Sequence, residues 1–371
     1  MKINKVMRYR KTATMLILLI GTTIAQAQMV ERHKTIVKSF KILPENNVQV
    51  SNKYGNIHIV TGVTDSVRFE IEIKVTDKQV EKTDKIISNI DVQFNYSPYY
   101  IIANTFFNDY KGSIWSNISD YASTAISGGN KIEINWVIYI PENCELKIEN
   151  KFGNVYTTNH TGKFSLDLSN GDFQANNLNG DTKLKIEFGK THLNNLTNAN
   201  IDINYADLDL KKATKIDLIS RSSDINIQSV GELELNSRRD KYIIDSINVL
   251  KGDVYFTSLK VRKIMKDMML TVKYGDLSFD ELSSELRYFN LTSSYADVFI
   301  TMPTNFSANI DLGYRKTILA IPTIFKSLPL DLTNKDTQEY RLQGLIFDTE
   351  SKNEIDFKLN CNLGTLSIRI K

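Results

Sequence analysis

Residues 187–203, EFGKTHLNNLTNANIDI, and 204–220, NYADLDLKKATKIDLIS, can be written one above the other without a gap. Both lines place an aromatic and then a small residue at their second and third positions, Phe188-Gly189 and Tyr205-Ala206. Both carry an apolar residue nine after the start, Leu196 and Ala213, and close on an alternating pair, Ile201/Ile203 and Ile216/Leu218. Alternation with period two puts the apolar residues of a strand on one face and the polar residues on the other. Each line therefore reads as strand, corner, strand, turn.

The pattern extends far beyond these two lines. Aromatic-small pairs recur at Tyr54-Gly55, Phe152-Gly153, Tyr274-Gly275 and Tyr295-Ala296, and unit starts fall at 53, 151, 169, 187, 204, 221, 238, 255, 273, 294 and 313. From 151 onward the spacings are 18, 18, 17, 17, 17, 17, 18, 21 and 19. Four and six residues after the starts lie apolar positions such as Phe173/Ala175, Leu208/Leu210, Ile225/Ile227, Leu259/Val261, Leu277/Phe279 and Val298/Ile300. One unit cannot bury its apolar face alone, whereas stacked neighbours share a continuous core. A leucine-rich repeat needs 20–29 residues for a strand and a helix, more than most of these units contain. An all-β fold is expected, a parallel β-solenoid with short 17–18-residue coils and an N-terminal capping insertion. An antiparallel β-sandwich of hairpins is the alternative, because both strands of each unit end in turn residues.

Outside the array the reading changes. Lys2, Lys5, Arg8, Arg10 and Lys11 precede a short apolar run, Thr14 to Ile24, and Ala25-Gln26-Ala27 offers small residues for cleavage. Residues 1–27 thus read as a signal peptide, too short in its apolar run for a membrane span. Removing them leaves 41 basic against 43 acidic residues, so the apparent charge of +3 becomes slightly negative and nucleic acid is not an expected partner. Residues 28–150 form an N-terminal β region with the first coil and a capping insertion from about 63 to 147. In that insertion Val67, Phe69, Ile71, Ile73 and Val75 alternate as a strand, Lys78 to Ile90 suits a short helix, and Asn104 to Asn130 reads as a long loop. Residues 151–317 are the regular array. Residues 318–371 are a C-terminal cap and one last coil around Leu363 to Ile368.

The openings Asn52-Lys53-Tyr54-Gly55-Asn56-Ile57 and Asn150-Lys151-Phe152-Gly153-Asn154-Val155 resemble those of exported bacterial adhesin-like β-strand-repeat proteins. The resemblance covers most of the chain after the signal. It implies a β-helical fold and a periplasmic, cell-surface or extracellular place in a Gram-negative envelope, and it brings no catalytic residues.

The residues themselves point the same way. Tyr54, Phe152, Phe188, Tyr205, Phe256, Tyr274, Tyr295 and Tyr314 fill the aromatic position in 8 of 11 units. Like side chains stacked from coil to coil explain such a column structurally; as a site, Tyr54, Phe152, Phe188, Tyr205, Tyr274 and Tyr295 would offer a surface to a glycan or a protein. A polar column three after the start (Asn154, Asp172, Asp207, Asp224, Asp276, Asp297) contains oxygen ligands of the calcium type. Lys190, Lys241 and Lys316 interrupt it, and Asx residues after a turn commonly bond backbone. Asn159, Asn176, Asn177, Asn194 and Asn195 suit an asparagine ladder at a corner. His33, His58, His160 and His192 lack metal-ligand spacing, His160 taking an apolar column position. No nucleophile elbow, phosphate loop or dinucleotide fingerprint is present.

An enzyme, a metal and a cofactor are therefore not expected. Cys144 and Cys361 flank the array, so about ten coils at ~4.8 Å would hold them roughly 45 Å apart, beyond the ~7 Å reach of a disulfide. Two free, buried thiols follow. The leading functional reading is a non-catalytic envelope protein with an adhesin-like or protein-interaction role, its partner a protein or glycan of the envelope. The alternatives are a periplasmic partner in envelope sensing and a carbohydrate-active β-helix enzyme. Three or more acidic or basic side chains converging in one pocket would favour the last.

Overall fold

A computed structural model describes residues 29–42, 46–62, 65–108, 131–346, 348 and 354–371. The proposed signal peptide and most of the loop read at 104–130 lie outside the described residues. Strand dominates the described residues, which divide into two compact units. Of the described residues, the smaller takes in 29–34, 73–91, 107–108 and 131–133. Its helix, Val80–Asn89, falls within the predicted stretch. The Asp77 carboxylate accepts from the Gln79 backbone N–H ahead of that helix and pairs with Lys82 at 3.1 Å.

The larger unit takes in Thr35–Glu72, Val92–Phe106 and Ile134–Lys371. Here the two lines quoted above are literal neighbours. Strand Lys190–Asn204 pairs in parallel with Asp207–Arg221, Leu193 opposite Leu210 and Ile201 opposite Leu218. The same parallel ladder runs from Phe173–Glu187 through Asp224–Arg238 and on to Lys241. Successive units thus lie parallel and one repeat apart, which rules out hairpins in the array. Hairpins would need consecutive strands to run in opposite directions. The predicted apolar columns are the interior: Phe173, Leu208, Ile225, Leu259, Leu277 and Val298 are buried, as are Leu178, Leu196, Val230, Ile247 and Ile264.

The change between 18- and 17-residue coils has a local cause. Leu178 pairs with Leu196 at an offset of 18, and Asp181 pairs with Asn198 at 17, so the longer coil spends its extra residue at the corner between them. Gly180 lies in that corner, packed so closely on Gly162 that an added Cβ would fall 2.0 Å from the Gly162 carbonyl oxygen.

Both ends depart from simple stacking. The first coil, Asn47–Lys53 with Ile57–Thr61, pairs on one side with Glu145–Lys151 and Val155–His160, which lead into the array, Asn47 opposite Glu145 and Ile57 opposite Val155. On its other side it pairs with the insertion itself, Asn47 opposite Tyr100 and Ile57 opposite Trp136. At the far end the last strand, Glu354–Ile370, lies between Tyr288–Met302 and Ser307–Ala320, parallel to both. Two units adjacent in sequence are therefore separated in space by the final segment. Ser307–Ala320 is then covered by two antiparallel strands, Glu339–Ile346 and Leu330–Asn334.

The unit start at 313 needs correction. Residue 316, not 314, takes the left-handed corner conformation there, with φ 49° at Lys316, and Lys316 lies level with Leu363 at φ 62°. Gly313-Tyr314 inverts the aromatic-small order, and Tyr314 stacks instead on Tyr340 at 5.4 Å. Tyr314 does not belong to the aromatic column.

Cys144 and Cys361 are free and buried, as expected. Burial pushes the Cys144 thiol up to about 12 and raises that of Cys361. At pH 8 the native protein is expected to resist thiol reagents, with two equivalents reacting only after denaturation. Rapid labelling of either cysteine in the native state would contradict this packing.

His160 is fully buried opposite Leu178, and its ring nitrogens lack hydrogen-bond partners among the described residues. Desolvation lowers its pKa, outweighing the opposing effect of the nearby Cys144 and Lys163 backbone, which lies outside ordinary hydrogen-bond geometry. The unfolded chain then binds the proton more readily. Stability is full above about pH 6.5 and falls as pH drops through that value toward the lower native pKa. His160→Leu should gain about 1–3 kcal/mol and flatten the decline in Tm between pH 7 and 5. An unchanged pH profile would refute the assignment.

Candidate binding surface

The aromatic column sits where the backbone makes its sharpest demand. Tyr54, Phe152, Phe188, Tyr205, Phe256, Tyr274 and Tyr295 all have φ between 52° and 66°. A left-handed conformation costs a non-glycine residue roughly 1–2 kcal/mol, and the same corner is turned by Asn170, Ser222, Arg239, Lys316 and Leu363. An aromatic ring is not required to make the turn. The residue after each ring is Gly in several coils because adjacent coils approach closely. A Cβ on Gly153 would lie 2.0 Å from the Gly55 carbonyl oxygen.

The six residues singled out as a possible surface fall on this one corner, in separate groups. Tyr54 stacks on Phe152 at 5.5 Å, and Phe188 on Tyr205 at 5.4 Å. Phe256, Tyr274 and Tyr295 form a third stack at 4.7 and 5.0 Å. Phe152, Phe188, Tyr205, Phe256 and Tyr295 are exposed, Tyr205 to 61%. Lys53 lies 4.8 Å above the Tyr54 ring, and burial pushes the Tyr54 phenol up to about 12. Lys273 similarly covers Tyr274.

The polar columns are structural where their bonds are visible. Asn56 accepts from the Asn154 backbone N–H, Asn154 from that of Asp172, and Asp172 from that of Lys190, at 2.8–2.9 Å. Asn195 donates to Asn177 and Asn177 to Asn159, at 2.5 and 2.6 Å; Asn194 donates to Asn176. The histidines stay apart: His33 pairs with Glu31, His58 stacks on Tyr156, and His192 meets Asp209 at 3.2 Å. Among the described residues no group of three His, Cys, Asp or Glu could hold a metal ion.

A buried polar cluster departs from the repeat pattern. Asp240 stands in the column otherwise rich in glycine, and its carboxylate accepts from the Ser220 and Ser237 hydroxyls at 2.6 Å. It also accepts from the backbone N–H of Ser223 and Arg238. Tyr242 reaches Ser220 at 2.5 Å, and burial raises the Tyr242 pKa strongly. The sequence signal is Arg239-Asp240 where an aromatic-glycine pair would otherwise stand. In earlier coils Asn150 serves the same corner, donating to the carbonyls of Gly55 and Gly153.

Two open grooves lie among the described residues. One of about 310 Å³ is lined by Lys147, Lys163, Lys183, Glu145 and Asp181. All five are exposed, and Lys147 pairs with Glu149. The other, about 520 Å³, borders the inserted last strand with Tyr314, Tyr340, Arg315, Arg341 and Asn362. Its charges are matched internally: Arg341 holds Asp311 in a two-pronged pair, which keeps the Asp311 carboxyl below its usual range. Arg315 donates to Asn362 and approaches Glu339.

No family model and no curated protein matches this chain. Solved structures do. A candidate cell-adhesion protein from Clostridium sporogenes is 10% identical over 92% of this chain and 100% of its own, with a TM-score of 0.21. A candidate adhesin from Parabacteroides merdae is 14% identical over 71% of this chain and 95% of its own, at a TM-score of 0.29. Another from Bacteroides fragilis is 10% identical over 91% and 97%, at 0.23. Among the described residues no helix is long and apolar enough to cross a membrane.

Proposed function

We propose that this is an exported, non-catalytic envelope protein whose array is a β-solenoid presenting its aromatic corner for adhesion. One observation carries the reading: rings sit exposed at a strained corner that Asn170, Ser222 and Arg239 turn without them. Stacking between coils supports folding, but exposed Tyr205 and Phe188 place apolar faces in water that a polar residue would not. Exposed aromatics grouped in this way suit recognition of another molecule. The sequence resemblance to adhesin-like repeat proteins supports the same setting.

Surface labelling of intact cells tests location, and binding of the purified protein to envelope fragments tests adhesion. The expected result is labelling without permeabilisation, with binding weakened at least fivefold by the combined Phe188→Ser and Tyr205→Ser changes. Labelling only after permeabilisation, with binding unaffected by these changes, would favour a periplasmic partner in envelope sensing.

A further inference from the structure

The aromatic column has a gap one ring wide. Phe152, Asn170 and Phe188 occupy the same corner of three consecutive coils, since the Phe152 N–H donates to Ser169 and the Asn170 N–H to Glu187 in the next coil. Phe152 stacks away from Asn170 on Tyr54, and Phe188 stacks away from it on Tyr205, with planes only 11° and 7° from parallel. The inner faces of Phe152 and Phe188 therefore look toward each other across two coil spacings, about 9.5 Å. Asn170 is exposed, and among the described residues its short side-chain amide has no hydrogen-bond partner. It forms the floor of a slot whose two walls reach further out than it does.

We propose that this slot binds one pyranose ring of a glycan, held between Phe152 and Phe188 with hydroxyls bonded to the Asn170 amide. The spacing admits one six-membered ring, and the amide selects its chemistry. A ring centred in the slot lies about 4.8 Å from each wall, whereas flat carbon surfaces make their best contact at about 3.5–4.0 Å. A planar arene also fits this spacing, as the rings stacked at 4.7–5.5 Å along the same corner do. A chair-form sugar is thicker, and its axial C–H groups reach both walls. The amide offers a donor and an acceptor that ring hydroxyls can use and an arene cannot. The wider break between Tyr205 and Phe256 spans Ser222 and Arg239, about 14 Å, and cannot clamp a single ring. The inference rests on the adhesion reading for its biological setting but not for its chemistry.

Saturation-transfer NMR on the full chain tests it. The probes are methyl β-D-glucopyranoside, methyl α-D-mannopyranoside, methyl β-D-galactopyranoside and N-acetyl-phenylalanine amide. Transfer to ring C–H protons of at least one pyranoside is expected. Asn170→Tyr, which completes the stack with a side chain already used at this corner, should abolish it, and Phe188→Ala should weaken binding at least fivefold. Circular dichroism on the variants verifies that they fold. Silence from all three pyranosides would overturn the proposal, as would equal binding by Asn170→Tyr. Preference for the phenylalanine amide would reassign the slot to aromatic side chains. Pyranoside binding without envelope adhesion would keep the slot and sink the adhesion reading.

Discussion

Ending the chain at residue 353 is expected to abolish the cooperative folding of the C-terminal coils. The removed strand, Glu354–Ile370, is hydrogen-bonded along both edges, to Tyr288–Met302 and to Ser307–Ala320. It also buries Ile355, Phe357, Leu359, Leu366 and Ile368 almost completely. Burying one such side chain contributes about 1.5–3 kcal/mol, so five approach or exceed the ~5–15 kcal/mol that separates native from unfolded states. Residual stacking of the first coils should leave strand signal in circular dichroism. Thermal unfolding should lose its sharp transition, and protease should attack beyond residue 288. Adding a peptide of residues 354–371 should restore part of the transition, because the vacated site is a strand-shaped slot. A truncated protein with the parental Tm would show that the terminal strand is not part of the stack.

Asp240→Ala should be among the most damaging single substitutions. Two hydroxyls and two backbone N–H groups share this one carboxylate inside the corner, and Ser220, Ser237 and Thr257 are all buried. Alanine leaves the buried Ser223 N–H without this acceptor and strips one partner from the Ser220 and Ser237 hydroxyls, which keep Tyr242 and Thr257. Leaving a buried donor unsatisfied costs about 1–3 kcal/mol, and here more than one group loses its acceptor. Asp240→Asn keeps the shape and one acceptor and should cost roughly half as much. Ser237→Ala combined with Asp240→Ala should cost less than the sum of the two, since they delete the same bond. Urea denaturation reads all three, and a loss below 1 kcal/mol for Asp240→Ala would show that the cluster is solvated.

These two sites mark the limit of what could be read from the sequence. The columns were legible because burial repeats: Leu208, Ile225 and Leu277 each meet the same environment, so their spacing exposes the coil. Parallel pairing followed less directly, since alternation alone also suited hairpins. The place of Glu354–Ile370 was not legible. A repeat pattern identifies a segment as coil-like but does not say between which coils it lies. Tyr314 misled because an aromatic beside a glycine matched the motif, whereas the backbone turns two residues later. Asp240 was hidden because a polar residue in a glycine column resembles ordinary variation. Of the candidate surface, the aromatic column could be read residue by residue. The vacancy at Asn170 acquires meaning only when rings are seen to face each other.

The corner at Gly180 carries a further consequence. It absorbs one residue without disturbing the strands on either side, so coils of two lengths share one ladder. Whole coils can then be gained or lost by duplication or deletion in the gene, each event moving the aromatic corner by one rung of about 4.8 Å. Relatives of this chain would differ in reach, as a ruler differs by its number of divisions, while keeping the same two ends.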